Sequence, residues 1–207
     1  MKATFIATLA AVTMLSGAAY AANAPATSSD GFFFKPYVGA DYEYFSANYK
    51  DVPGTGVNYD DIFSDSFNGG DVHVGARVHK YLGFEAGYFD TASSSKSGLL
   101  GTTASSSARI DGWTLDAMGY LPLGDSQKFE LIGTVGLART TAKGSVTVSG
   151  TPYSANGSET KGRIGAGAEY WLTDNLNVRG LVRYQDADFG GLANNVIVSS
   201  LGLNWQF

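Results

Sequence analysis

Two neighbouring residues of this sequence have side chains suited to acid–base chemistry. Asp71 and His73 are two positions apart, so in a β-strand they lie on the same face. A carboxylate beside an imidazole can orient a general base. Catalysis also needs a nucleophile within reach, and the serines, which are spread over the polar stretches, do not single one out. We therefore favour a structural role for His73.

Two further motifs carry weaker chemical signals. Residues 59–65, Tyr-Asp-Asp-Ile-Phe-Ser-Asp, offer carboxylates to a divalent cation, but they do not match an EF-hand and fit a solvated acidic loop. Gly165-x-Gly167 begins a dinucleotide-binding fingerprint but lies within a predicted strand and opens no helix. The chain has no cysteine, which excludes disulfides, thiolate metal sites and cysteine nucleophiles. We predict neither a metal site nor a cofactor.

The elements that position these side chains are strands, because apolar and polar residues alternate along the chain. In Val196–Phe207, one face carries Leu201, Leu203, Trp205 and Phe207, and the residues between them are mostly small or polar. The same alternation predicts eight strands over the whole chain: 34–45, 70–78, 82–90, 108–121, 127–140, 160–171, 176–186 and 196–207.

The links between the predicted strands alternate strictly between long and short. Long polar loops cover 46–69, 91–107, 141–159 and 187–194, and tight turns cover 79–81, 122–126 and 173–175. This pattern predicts an all-β, antiparallel up-and-down barrel with both termini at the turn end. In the fourth strand we place Ile110 on the apolar face with Trp113, which requires a β-bulge near Asp111-Gly112.

The N-terminal segment is typical of a secretory signal peptide. Lys2 is basic, Phe5–Leu15 is a short apolar run, and Ala19-Tyr20-Ala21 is a small-x-small cleavage site. We therefore predict a signal peptide over residues 1–21, a flexible leader over 22–31 and a barrel domain over 32–207. The formal net charge of −5 argues against nucleic acid as a partner.

Alternation alone does not decide which face of the barrel is outside. A soluble barrel turns its apolar face inward and exposes a face rich in Lys and Glu. Here the polar face carries many glycines and a mixture of Asp, Glu and Arg with few Lys. Small residues and compact ion pairs suit a crowded interior, so we predict that the apolar face contacts lipid. Phe89, Met118, Tyr120 and Trp171 are bulky residues of the inward face. They predict a filled lumen without a porin-sized pore.

Four stretches resemble the small eight-stranded outer-membrane barrels, which include the transmembrane domain of outer-membrane protein A and the opacity-type surface proteins. These stretches are Pro36–Ala40, Gly83–Tyr88, Gly165–Tyr170 and Arg183-Tyr184. The resemblance spans the chain after its first 31 residues and implies a location in the bacterial outer membrane.

The resemblance also implies roles for particular residues. Interior charges of the family form a network, which here implies ion pairs among the following residues: Glu85, Glu169, Arg77, Arg163, Arg179 and Arg183. Family members end on an aromatic residue that the barrel-assembly machinery reads, which assigns that signal to Phe207 with Trp205. The implied partners are outer-membrane lipids, lipopolysaccharide, the assembly machinery and a surface ligand of the long loops.

The favoured function is that of a non-enzymatic outer-membrane barrel with a structural or surface-interaction, adhesion-like role. Two alternatives stay open. One is a lipid-modifying barrel enzyme, because some barrels of this size use a His and a Ser near the outer rim. The other is a soluble, lipocalin-like ligand-binding barrel.

Overall fold

The computed structural model describes residues 31–49, 51, 64–97, 104–124, 126–148, 151–187 and 193–207. The predicted signal peptide, residues 22–30 of the leader and most of the acidic stretch 59–65 lie outside the described residues, and what was inferred for them stays a prediction. None of the described residues belongs to a helix long and apolar enough to cross a membrane.

The described residues form nine strands, each antiparallel to its neighbours. They are β1 (Phe32–Tyr49), β2 (Ser66–His79), β3 (Leu82–Thr91), β4 (Ser94–Ser97), β5 (Ser105–Leu123), β6 (Phe129–Val148), β7 (Thr151–Trp171), β8 (Leu176–Asp186) and β9 (Ala193–Gln206).

Eight of these strands close into a ring. β3 pairs with β5, and β9 returns to pair with β1 from Tyr37↔Gln206 to Tyr49↔Ala193. The short β4 pairs with β5 beyond the end of β3, at Ser94↔Ala108 to Ser97↔Ser105. The prediction of an eight-stranded antiparallel barrel is therefore confirmed. We call the end with the short links after β2, β5 and β7 the turn end, and the opposite end the loop end.

The apolar faces of the strands point outward. On β9, Leu201, Leu203 and Trp205 are about half exposed or more, whereas Ser200 and Asn204 are buried in the interior. On β1, Tyr42 and Tyr44 are exposed, and the residues between and beside them are buried. The predicted orientation of the wall, apolar outside and polar inside, is confirmed.

The predicted bulge in β5 is wrong. The β5–β6 register runs without a shift from Ser105↔Thr147 to Leu123↔Phe129. Ile110 is 6% exposed and lies on the inward face with Thr114. The lumen becomes apolar near the loop end. An apolar residue on the inward face there breaks the alternation of apolar and polar residues, and the sequence therefore suggested a bulge that does not exist.

Parts of the predicted long loops are strands. Residues predicted as the loop 141–159 continue β6 and β7 as a paired hairpin, with Lys143↔Asn156 and Val148↔Thr151 in register. The predicted loop 91–107 contains β4 and the beginning of β5, and the first loop is shortened by β1 and β2. Their Ser-, Thr- and Gly-rich composition is typical of loops, but backbone pairing with a neighbour stabilises a strand without apolar side chains.

Candidate functional site

The centre of the lumen is organised around Arg179. Its Nη1 donates to Glu85 Oε2 at 2.5 Å, and its Nη2 donates to Glu85 Oε1 at 3.1 Å and to Asp41 Oδ2 at 2.9 Å. These residues stand on β8, β3 and β1, so one side chain ties together strands from opposite sides of the ring. All three are buried. A guanidinium suits this place because its planar fork serves two carboxylates at once.

His73 lies beside Arg179 in the same central layer. Its Nδ1 is 2.7 Å from Asp71 Oδ1, so the predicted Asp71–His73 pair forms. Its Nε2 is 2.6 Å from Asn204 Oδ1, and Asn204 Nδ2 donates to Asn177 Oδ1 at 3.0 Å. Both ring nitrogens are thus engaged in the interior. This arrangement holds the ring in place and leaves neither nitrogen directed toward a substrate.

The His73 ring lies against the inner face of β1 at Gly39, where a side chain would not fit. A Cβ at Gly39 would overlap His73 Nε2 and Asn204 Oδ1. Gly39 pairs with both residues, with His73 on β2 and with Asn204 on β9. Glycine at this position therefore makes room for the contact between two neighbouring side chains.

Asp41, Asp71 and His73 have ligand atoms within 4.8 Å of one another, a spacing that a metal ion could use. Arg179 already binds Asp41 and lies 3.3 Å from His73 Nδ1. A metal ion would have to displace this buried guanidinium, so the geometry fits an ion-pair cluster and not a metal centre.

Arg183 extends the central layer toward the loop end. Its Nη2 is 3.6 Å from Glu85 Oε1, and its Nη1 is 3.7 Å from Glu43 Oε1. Its Nη1 also donates to Ser200 Oγ at 3.4 Å. These contacts are longer than those of Arg179, so Arg183 contributes charge to the layer more than directed hydrogen bonds.

A lower layer near the turn end is built on Arg77. Its guanidinium pairs with both Glu130 and Glu169. The same group lies 3.8 Å from the ring centroid of Tyr120, and the Trp171 indole donates to Glu130 Oε2 at 3.2 Å. Two carboxylates therefore share one arginine, which also covers the face of an aromatic ring.

The six charged residues predicted for the lumen all lie there. Five of them pair with one another, and the sixth, Arg163, pairs with an aspartate outside the predicted set. Glu85 meets Arg179 and Arg183, and Glu169 meets Arg77, whereas Arg163 pairs with Asp116 through Nε to Oδ1 at 2.8 Å and a second contact. Sequence reasoning missed the following partners: Asp41, Glu43, Asp116 and Glu130. Each of them occupies a position on the predicted inward face, so the alternation of inward and outward residues could have identified it.

The upper layer of the lumen, near the loop end, is apolar. It consists of these residues: Phe45, Phe67, Phe89, Ile110, Ala187, Val196 and Val198. The rings of Phe45 and Phe89 are 5.3 Å apart between centroids. An apolar layer therefore lies above the charged ones, and together they fill the cross-section that eight strands enclose.

Beyond the upper layer, strands continue as a sheet that we call the outer extension. It comprises β4 and residues 105–109, 141–148 and 151–160.

Tyr49, at the end of β1, donates from its hydroxyl to the Ser64 carbonyl oxygen at 2.9 Å. Burial raises the pKa of the Tyr49 phenol to about 12, and the nearby Asp65 carboxylate adds to this rise. The hydrogen bond anchors the chain where it leaves β1 and enters β2.

The residues of the predicted assembly signal lie at the turn end. Trp205 is 48% exposed on the outward face, and the Phe207 N–H donates to the Pro36 carbonyl oxygen at 2.9 Å. Pro36 belongs to β1, so this bond closes the seam between β9 and β1.

A closed antiparallel ring with an apolar outer face, aromatic residues near both edges and paired charges inside is a transmembrane β-barrel. The chain belongs to the family of the outer membrane protein β-barrel domain, whose family model matches residues 7–207. The protein is accordingly located in the bacterial outer membrane.

The solved structures that are similar to this chain include two bacterial surface proteins. Ail, the attachment invasion locus protein of Yersinia pestis, was solved in complex with the heparin analogue sucrose octasulfate. It aligns with a TM-score of 0.52 at 13% identity, over 84% of this chain and 97% of Ail. Neisserial surface protein A aligns with a TM-score of 0.52 at 16% identity, over 84% of this chain and 97% of its own. At these identities the likeness concerns the fold. No curated protein matches the sequence.

Proposed function

We propose that this outer-membrane barrel is non-enzymatic, does not conduct solutes, and acts as a surface-interaction protein through its outer extension and loops. The observation that carries the proposal is the combination of a filled lumen with strands that continue past the membrane. A lumen filled by charged and apolar layers serves as a rigid support. The paired sheet above it is the part that partners outside the cell can reach.

Strand length supports this division. A transmembrane β-strand needs about 9–11 residues, whereas β6 has 20 and β7 has 21. About half of the β6–β7 hairpin therefore stands outside the membrane. Residues 151–158 of β7 are exposed, as a recognition surface requires.

The edge of this hairpin offers a specific mode of recognition. β7 pairs with β8 only from Arg163↔Gln185 toward the turn end. Within the described residues, no strand pairs with the β8 side of 151–158, all of which are exposed. An unpaired edge presents backbone N–H and C=O groups to which an extended segment of another protein can add.

The position of His73 supports a non-enzymatic role. A lipid-modifying enzyme needs its base near the membrane rim and within reach of a nucleophile. His73 is 3% exposed in the central layer, between Asp71 and Asn204. A lipid substrate at the outer face of the wall would not reach it.

The test combines binding with conductance. The chain would be displayed on a Gram-negative laboratory strain without adhesins, and attachment to host-cell layers and to an immobilised sulfated glycan would be measured. The glycan is chosen because Ail was solved with a heparin analogue. A variant in which a two-residue turn replaces residues 145–154 should lose attachment at equal surface amount. Purified protein should show no sustained current in planar bilayers.

Ser154→Pro is the second variant, because proline alters the β7 edge without shortening the hairpin. Heat-modifiable migration on gels checks that each variant is folded. Attachment that is equal for the full chain and both folded variants would refute the role of the extension. Steady porin-sized currents would instead move the function toward transport.

We also propose that Trp205 and Phe207 form the signal read during barrel assembly. Phe207→Asp should lower the amount of folded barrel in the outer membrane, measured against total protein in the same cells. Tyr153→Asp, which puts the same charge on an exposed aromatic position of the outer extension, is the control. Normal levels of Phe207→Asp would contradict the proposal.

A further inference from the structure

The outward face of β3, β5 and β6 carries a group of charges just above two aromatic residues. Tyr88 and Trp113 are 42% and 47% exposed on the lipid side of the wall. Arg139 pairs in register with Trp113, and Lys143 pairs with Arg109 four residues further toward the loop end. Because exposed aromatic residues mark the edge of the hydrocarbon region, these cations lie at the level of lipid headgroups.

Two of the three cations have protein partners. Arg109 holds Asp90 through Nε to Oδ1 at 2.8 Å and a second bond, and Lys143 Nζ is 2.5 Å from Asp111 Oδ1. Arg139 is exposed and has no carboxylate partner among the described residues. The patch therefore combines three cations with two carboxylates, and the surplus charge is a guanidinium.

Among the described residues, this surplus positive charge lies on one side of the barrel. Outward positions near the loop ends of β1, β8 and β9 are Ser46, Asp186 and Asn195, which bring no cation to this level. A guanidinium next to an interfacial tryptophan, with hydrocarbon below it, interacts best with a phosphate group, which it binds through two parallel hydrogen bonds.

A cleft of about 470 Å³ continues the patch toward the loop end. Its lining includes Ser107, Arg109, Lys143, Ser145, Ser154 and Asn156. Hydroxyl and amide groups beside two cations match the hydrogen-bonding groups of a sugar that carries a phosphate.

We propose that the β5–β6 face binds the phosphorylated sugar headgroup of an outer-leaflet lipid. Arg139 contacts a phosphate, the cleft with Arg109 and Lys143 holds sugar and further phosphate oxygens, and the acyl chains run along Leu115 and Leu137. These two leucines pair in register below Trp113 and Arg139, and both are about half exposed. The three cations of this site lie on β5 and β6, whereas the attachment edge lies on β7, so Arg139→Gln can remove lipid binding without altering that edge.

Native mass spectrometry of the folded full chain in detergent micelles tests the proposal. The probes are lipid A with both phosphates, the same lipid without phosphates, phosphatidylglycerol and free glucosamine phosphate. We expect the phosphorylated glycolipid to bind most tightly, with affinity reduced about ten-fold or more in Arg139→Gln. Arg139→Lys should recover only part of this loss, because lysine keeps the charge without the planar fork.

The matched control changes equal charge at the turn end. Arg109→Gln, Arg139→Gln and Lys143→Gln together should abolish retention of the glycolipid. Lys35→Gln, Lys80→Gln and Lys128→Gln together, at exposed positions near the turn end, should leave it unchanged. Equal loss in both triple variants would mean that net charge alone attracts the lipid and would overturn the site. Equal binding of the lipid without phosphates, or binding of glucosamine phosphate as tight as that of the lipid, would also overturn it.

Discussion

Arg179 and Arg109 each hold an aspartate through two hydrogen bonds, one inside the barrel and the other on its outer face. The side chain of Arg179 is 1% exposed, whereas that of Arg109 is 47% exposed and its partner Asp90 is 37% exposed. The contacts are similar in kind, and the surroundings differ.

This difference decides what each pair does for stability. If Arg109 is removed, Asp90 regains water, and an exposed pair is worth roughly 0–1 kcal/mol. If Arg179 is removed, Asp41 and Glu85 stay buried without their partner. Loss of one partner of a buried pair costs about 3–5 kcal/mol, because the remaining charge is left uncompensated. The interior pairs are therefore costly to break, and the outer ones are free to exchange partners with lipid.

The largest effect is expected for Arg179→Met, which keeps the volume of the side chain and removes its charge. We expect the free energy of unfolding to fall by about 3–5 kcal/mol. Urea titration of the folded barrel in lipid vesicles, followed by tryptophan fluorescence, measures this value. A loss of under about 1 kcal/mol would show that the interior pair behaves like an exposed one and would break the comparison.

A second variant tests the apolar layer against the charged ones. Phe67 is 2% exposed and borders a cavity of about 340 Å³ at the loop end. Phe67→Ala should therefore cost about 3 kcal/mol, at the low end for a buried phenylalanine. The charged layers still close the lumen, so planar bilayers should stay free of sustained current. A current in this variant would mean that the apolar layer alone blocks the barrel.

Glu169→Gln and Glu85→Gln compare the stability that two different ion-pair layers of the lumen contribute. Glu169 shares Arg77 with Glu130, so the variant leaves one complete ion pair and should cost only about 1 kcal/mol. Glu85→Gln removes the carboxylate that faces both Arg179 and Arg183, and it should cost clearly more. Parallel urea titrations of the two variants decide the order, and the reverse order would contradict the assigned pairing.

The smallest effect is expected for Arg109→Gln. The free energy of unfolding should fall by less than about 1 kcal/mol, and the difference from the parent protein should shrink as salt is added. The same urea titration at low and high salt measures both. A large loss that does not depend on salt would place Arg109 among the buried pairs.

Which face of each strand points outward could be predicted, because lipid favours apolar residues and the lumen favours polar ones at alternate positions. The pattern of Val196–Phe207 is reproduced in β9, and the charges predicted inward are inward. Ile110 shows where the rule ends. Near the loop end the lumen is filled by apolar side chains, so an apolar residue no longer indicates the lipid side.

The ion-pair partners in the lumen and the ends of the strands could not be predicted from the sequence. Which carboxylate meets Arg163 depends on how the strands stagger around the ring, and alternation carries no information on stagger. Residues 141–159 were predicted as a loop because Ser, Thr and Gly dominate them, yet each strand of this hairpin obtains its hydrogen bonds from the other. Two polar strands outside the membrane need no apolar face, so the usual signal of a strand is missing there.

The seam between β1 and β9 has a kinetic consequence. Tyr37 pairs with Gln206, and the Phe207 N–H reaches the Pro36 carbonyl oxygen, so the first and last strands of the ring hold each other. These contacts join the most distant parts of the barrel sequence, and contacts of long sequence separation form slowly. The ring cannot close before its last strand has been synthesised, and no edge stays open within the membrane once it has closed. Unfolding must begin by separating two paired strands in lipid, which makes the folded barrel long-lived because its unfolding is slow, whatever its free energy.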